Sequence, residues 1–215
     1  MSSSSRVALT PAYRWVMRAS SPVVRLWGRM DVQGLEAVPP AGPLLVVANH
    51  DSYWDPITIG VAAAGTRQIH ALAKSSLWKT APVGWVLDGM GQIPIDRGAG
   101  DAAALARAIE SLREGRCIGM FPEGTRTLGR TLRARSGLGR LAAAVPEAEV
   151  VCCRVTGTTD ITAVPRRPAI RVRFFRPAEG GLQPGEGPAD FAQRLLDELR
   201  AEAPRVPPGR KAPAA

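Results

Sequence analysis

Two histidines are present, His50 and His70, and the first stands where acid–base chemistry is feasible. It follows an apolar run at 43–48 and opens the stretch Asn49-His50-Asp51-Ser52-Tyr53-Trp54-Asp55. A ring placed directly after a buried strand stands at the strand's end rather than within the core. If a turn or helix starts there, the carboxylate of Asp55 comes within hydrogen-bonding distance of the imidazole. A carboxylate holding one ring nitrogen fixes the tautomer and stabilises the imidazolium, leaving the other nitrogen as a general base. Such a base suits an alcohol attacking an acyl carbonyl, with no separate serine or cysteine nucleophile. A His-x4-Asp pattern alone is weak, because a structural explanation for an isolated example is the commoner one.

Two further stretches add substrate chemistry. Gly91-Gln92-Ile93-Pro94-Ile95-Asp96-Arg97 supplies one arginine, and Phe121-Pro122-Glu123-Gly124-Thr125-Arg126 supplies another. A Pro-Glu-Gly-Thr turn offers backbone N–H groups and a hydroxyl, while Arg97 and Arg126 can clamp a phosphate in bidentate fashion. Glu123 is the odd member, since a carboxylate repels phosphate. Its two readings are an acceptor for a glycerol hydroxyl and an anchor for an arginine.

The elements needed to position these groups are those of one α/β domain. The chain has 215 residues, 45% hydrophobic and 22% charged, which suits one sizeable core. Strands are predicted at 43–48, 117–121, 149–155 and 169–175, and helices at 101–114 and 189–203. Their alternation argues a central, mostly mixed β-sheet flanked by helices, with an amphipathic helical segment in front. Both site motifs then sit just past strand ends, where open α/β sheets place ligands. The expected organisation is a disordered leader at 1–5, a membrane-associating helical segment at 6–30, the catalytic domain at 31–203 and a disordered tail at 204–215.

Charge and cysteines narrow the function. Lys and Arg number 28 against 19 Asp and Glu, a net charge of +9, which favours an anionic partner. The aromatic residues form no platform interleaved with basic ones and no zinc or helix-turn-helix pattern is present, so nucleic acid is excluded. The three cysteines, Cys117, Cys152 and Cys153, read as buried reduced thiols. With two histidines and no Cys-x-x-Cys pair, a metal site is not expected. No apolar run reaches the ~18 residues needed to cross a bilayer. Any membrane contact is therefore expected from the surface, at the cytoplasmic face. On a helix advancing ~100° per residue, Arg14, Arg18, Arg25 and Arg29 fall within roughly 60° of one another, mainly opposite Tyr13, Val16, Met17, Val23, Val24, Trp27 and Met30. That arrangement fits an interfacial helix on an anionic membrane surface, or a helix packed on the domain with a solvated basic face.

Taken in order, Asn49-His50-x4-Asp55, Gly91-x-Ile-Pro-Ile-Asp-Arg97 and Phe121-Pro-Glu-Gly-Thr-Arg126 resemble the motif series of the glycerolipid acyltransferases, bacterial 1-acyl-sn-glycerol-3-phosphate acyltransferases above all. The resemblance runs through 73–78 and 82–84 and covers about residues 30–160. It implies His50 as general base with Asp55 orienting it, Arg97 on the acceptor phosphate, and Glu123, Gly124, Thr125 and Arg126 shaping the acceptor site. It also implies a lyso-phospholipid acceptor, acyl-CoA or acyl-carrier protein as co-substrate, and no cofactor. Acceptors other than lysophosphatidic acid, such as a lyso-ornithine lipid or a glycolipid precursor, and a non-catalytic membrane-binding protein are the rival readings. One departure concerns substrate more than chemistry. Where the family carries a proline in a fourth apolar block, this chain has Val150-Val151-Cys152-Cys153-Arg154-Val155-Thr156-Gly157.

Overall fold

Leu44, Leu45, Val46, Val47 and Ala48 are all buried, the pattern of a strand covered on both faces. In the computed structural model, which describes residues 8–96, 102–165 and 167–206, this strand lies at the centre of a seven-stranded sheet. The strands are β1 (Asp31–Gln33), β2 (Leu44–Ala48), β3 (Ile69–Lys74), β4 (Ile93–Ile95), β5 (Cys117–Met120), β6 (Glu149–Thr156) and β7 (Arg171–Phe175). Their order is β1-β7-β6-β2-β5-β3-β4. Every neighbouring pair is parallel except β6 with β7. The leader at 1–5, Arg97 and the tail from 207 onward lie outside the described residues.

Helices cover both faces: α1 (Pro11–Ser21), α2 (Asp55–Ala63), α3 (Ala81–Gly89), α4 (Ala102–Arg113), α5 (Gly137–Ala144) and α6 (Pro188–Ala201). The strand period of two divides β2 between the layers. Leu44, Val46 and Ala48 meet Tyr13 and Met17 of α1 and Ile59, Val61 and Ala62 of α2. Leu45 and Val47 meet Leu112, Leu138, Leu141, Phe191 and Leu195 of α4, α5 and α6. The six elements predicted from sequence are present as β2, β5, β6, β7, α4 and α6. The strands β1 and β4, three residues each, are too short to show a period.

Topology selects where the site forms. The chain leaves β2 for β3, returns to insert β5 between them, then crosses to β6 on the other side of β2. The carboxyl ends of β5, β2 and β6 therefore border one crevice at the switch point of the sheet. At the opposite end, buried Arg67 ties loops together by donating to the carbonyls of Pro39 (3.1 Å), Gly42 (2.5 Å) and Gly115 (2.6 Å).

The N-terminal segment packs on the domain with its basic side outward. Tyr13, Met17 and Val24 are buried in the core, with Val16, Val23, Trp27 and Met30 packed against them. At Pro22 the α-helix gives way to a π-helical turn over Pro22–Trp27, as expected where a proline removes a backbone donor. Buried core methionines cost about 2–5 kcal/mol when truncated to alanine. Met17→Ala is accordingly expected to lower unfolding free energy in urea by about 2–4 kcal/mol. An unchanged denaturation midpoint would mean that α1 is only loosely attached.

Candidate active site

Each of the three strand ends contributes one part. After β2, the side-chain amide of Asn49 donates to the Val155 carbonyl (2.8 Å) and accepts from the Val155 N–H (2.9 Å), extending the β2–β6 ladder by one side chain. That bond fixes the turn from which His50 projects. Pro56 then suits the first turn of α2, where a missing N–H costs nothing, and Asp55 sits at the helix start.

Asp55 is completely buried, and its carboxylate is saturated by donors. Oδ2 accepts from the N–H groups of Asp51 (2.7 Å) and Ser52 (2.8 Å) and lies 3.0 Å from His50 Nδ1; Oδ1 accepts from the Thr158 hydroxyl. The helix dipole of α2 further favours its negative charge. With Nδ1 held by a carboxylate, the proton belongs on Nδ1 and Nε2 carries the lone pair. Thr158 reaches Asp55 through Gly157, whose φ of 79° suits glycine and whose Cβ position is already filled by the Ala169 carbonyl.

The loop after β5 encloses the histidine. Phe121 stacks on its ring with centroids 4.1 Å apart and planes 18° from parallel. The His50 N–H donates to Glu123 Oε2 (2.8 Å), and the His50 carbonyl accepts from the Thr127 N–H (2.9 Å). On its far side Glu123 receives Arg200 of α6, through Nε (2.8 Å) and Nη2 (2.5 Å) to Oε1. The same guanidinium donates to both oxygens of Asp51, at 2.7 and 3.1 Å, while Thr127 and Asn49 donate to Asp51 as well. Burial pushes the Glu123 carboxyl above its ordinary pKa, opposed by the Arg200 charge and hydrogen bonds and by the His50 N–H. Burial alone would lower the Arg200 guanidinium, but Asp51 and Glu123 outweigh it and hold the cation firmly protonated.

His50 and Asp55 are thus brought together as the spacing implied. Of Glu123's two readings, the geometry gives the arginine anchor: it is buried against His50 and Arg200. Gly124 has φ 69°, and a Cβ there would meet the Arg135 side chain at 2.5 Å. Thr125 is half-buried, and Arg126 lies 3.5 Å over the ring of exposed Tyr53, a cation–π contact at the crevice edge. Arg133, Arg135 and Arg140 are exposed. Cys152 and Cys153 point into opposite core layers and, like Cys117, are buried free thiols. Among the described residues, no three acidic, histidine or cysteine side chains gather as metal ligands.

The residues sequence reasoning missed are Asp51, Phe121, Thr158 and Arg200. Asp51 and Phe121 lie inside quoted motifs, yet nothing local shows which way they face. Arg200 is 149 residues from Asp51. Its only sequence trace is an arginine beside Leu199, on the apolar side of an amphipathic helix.

The acyltransferase family model matches residues 29–165. The 1-acyl-sn-glycerol-3-phosphate acyltransferase of Bacillus subtilis is 30% identical over 54% of this chain and 57% of its own length. That of Borreliella burgdorferi is 37% identical, over 54% and 47% respectively. The lyso-ornithine lipid O-acyltransferase of Pseudomonas aeruginosa is 38% identical, over 52% and 41%. The chain therefore spans about half the length of the curated relatives it matches. The solved structure of the 1-acyl-sn-glycerophosphate acyltransferase PlsC from Thermotoga maritima shares the fold, with a TM-score of 0.67 at 21% identity over 88% of this chain and 77% of that one.

Removing Arg200 would leave two buried carboxylates without their cation, a change that typically costs about 3–5 kcal/mol. Arg200→Met is therefore expected to lower stability by that order, measured by urea unfolding. The sign with pH follows from Glu123. A carboxyl raised in the folded state binds more protons than the unfolded chain, so stability falls as pH rises from the unfolded value through the folded one. Without Arg200 pulling it down, Glu123 rises further, and the deficit should grow from pH ~4 towards neutrality. A pH-independent deficit would contradict the buried ion triad.

Proposed function

The chain belongs to the acyltransferase family, and from that premise we propose that it transfers a fatty acyl group from a thioester donor to the free hydroxyl of a lyso-phospholipid. Lysophosphatidic acid is the leading acceptor, with phosphatidic acid as product. One observation carries the chemistry: the saturated Asp55 carboxylate on His50 Nδ1, which leaves Nε2 as the base.

In this mechanism Nε2 removes the acceptor hydroxyl proton as the oxygen attacks the thioester carbonyl. The imidazolium that forms is stabilised by Asp55. Collapse of the tetrahedral intermediate breaks the carbon–sulfur bond, and the proton passes from Nε2 to the departing thiolate. A thioester is already activated, so positioning and one base suffice. Stacking on Phe121, the bond donated to Glu123 and the bond accepted from Thr127 hold the histidine still, which limits the reorganisation cost of proton transfer. Arg97 is assigned the acceptor phosphate on its place in the second motif, and Arg126 at the crevice edge supports a second contact. Acyl-CoA and acyl-carrier protein are the donors to compare.

Acylation of a lyso-ornithine lipid is the second reading, favoured by the 38% identity to the Pseudomonas aeruginosa enzyme. A panel of lyso-acceptors with purified full-length chain separates the two. Preference for phosphate-bearing acceptors, lost in Arg97→Ala through a raised KM, supports the first; equal turnover of phosphate-free acceptors favours the second. Asp55→Asn keeps the shape but disturbs the tautomer and the imidazolium, and an expected fall of about 10³–10⁴ in kcat follows. Undiminished turnover in His50→Ala would overturn the mechanism.

A further inference from the structure

The fourth apolar block carries an arginine, Arg154, and the fold shows where it goes. Along β6 the side chains part: Val151, Cys153 and Val155 enter one core layer, while Cys152 enters the other. By the strand period Arg154 and Thr156 share the side of Cys152. Across the antiparallel ladder Arg154 lies opposite Arg173, and Thr156 opposite Arg171. Strand β1 continues the row, with Asp31 beside Arg171 and Gln33 beside Arg173. Helix α6 covers this side of the sheet only as far as Ala201. Beyond its end the polar row lines an open cleft of about 400 Å³.

The charges in this cleft are incompletely matched. Arg154, Arg171 and Arg173 meet two carboxylates, Asp31 and Glu202. Like charges directly opposite on neighbouring strands are destabilising, and Glu202 alone bridges Arg154 and Arg173. Its carboxylate binds Arg154 Nη1 and stands 3.6 Å from Arg173 Nη1. That bridge is 62% exposed on the glutamate side, whereas the Arg154 side chain is only 12% exposed. Arg154 Nε is buried and has no hydrogen-bond partner among the described residues. Asp31, the neighbour of Arg171, accepts from Gln33 (2.9 Å). A guanidinium carries five N–H donors, and a buried donor left unmatched costs free energy until an acceptor meets it.

The acceptor that fits is a multiply charged oxyanion, because planar guanidiniums match phosphate oxygens in bidentate fashion. Val172 is the one apolar residue of the lining, which holds no aromatic ring. Neither an acyl chain nor a nucleobase finds a surface to lie on there. The volume leaves room for more than one phosphate group with its waters. The cleft is also separate from the crevice: Asn49, His50, Asp55 and Glu123 are absent from its lining. It lies beside the catalytic turn, since Val155, between Arg154 and Thr156, is the residue that holds Asn49.

We propose that Arg154, Arg171 and Arg173 form a second anion site, outside the crevice, for a diphosphate or a small phosphorylated metabolite. The incoming anion takes the place of the Glu202 carboxylate on Arg154. The site is independent of the acyl-transfer reading, since it shares no residue with the crevice.

Isothermal titration of the full chain with inorganic pyrophosphate, in a low-salt chloride buffer, tests this. The titration is run in the Arg97→Ala, Arg126→Ala background, which removes the arginines assigned to the acceptor phosphate; saturable binding is expected to persist. Adding Arg171→Gln and Arg173→Gln, both at exposed positions, should weaken it at least about tenfold through loss of charge-assisted contacts. Arg154→Gln should do the same, with the thermal midpoint reporting whether that half-buried change leaves the fold intact. Glu202→Gln should tighten binding up to about fivefold, because an exposed competing ion pair is removed; a purely structural bridge would give no gain. Adenosine 5′-diphosphate should bind no more tightly than pyrophosphate. Unchanged affinity in the Arg171→Gln, Arg173→Gln variant would overturn the proposal, as would weakened binding in Glu202→Gln. Binding already lost with Arg97 and Arg126 would overturn it too, placing the anion in the crevice and supporting the acceptor reading instead. A nucleotide preference above about tenfold would overturn the assignment to a small anion.

Discussion

The site depends on how three acidic side chains beside one histidine are supplied with donors away from water. Asp51, Asp55 and Glu123 all border His50. Asp55 is neutralised by backbone N–H groups, a hydroxyl and the imidazole itself. Asp51 and Glu123 share one buried guanidinium, Arg200. Burying a carboxylate without such partners costs several kcal/mol, so each must be matched or left protonated. The fold therefore brings the end of α6 onto the carboxyl ends of β2 and β5, and α6 reaches there only because Phe191, Leu195 and Leu199 are packed under it. Core packing and site electrostatics are one arrangement seen from two sides.

This arrangement divides labour between two carboxylates next to the same histidine. Asp55 touches the ring and sets its tautomer. Glu123 touches the backbone of the same residue and transmits the position of α6 to it. The first contact is with the ring, the second with the backbone. Such division suits the acyl transfer proposed above, in which most of the rate advantage would come from holding base and attacking oxygen in register.

The N-terminal segment shows the same economy at the surface. One side of α1 fills the core, another presents arginines, and a third stays apolar beside α3. An amphipathic helix is usually described by two faces, but 3.6 residues per turn leave room for three. The assignment of each face rests on the neighbours that cover it.

Much of this was legible in the chain alone. Alternation and helical spacing marked β2, β5, β6, β7, α4 and α6, since local periodicity is written in consecutive residues. The pair His50 and Asp55 was legible too, because a five-residue separation across a strand-to-helix turn constrains both side chains. The buried face of α1 could not be assigned, because an apolar stripe looks the same whether lipid or protein covers it. The role of Glu123 stayed divided between two readings until its partner was known. That partner, Arg200, is invisible to any local pattern: only the packing of α6 carries it across the sheet to Asp51 and Glu123. By itself, then, the sequence brought His50 and Asp55 forward as the candidate pair, through short-range spacing. Tertiary structure alone decided which charges neutralise which, since that requires contacts between residues far apart along the chain.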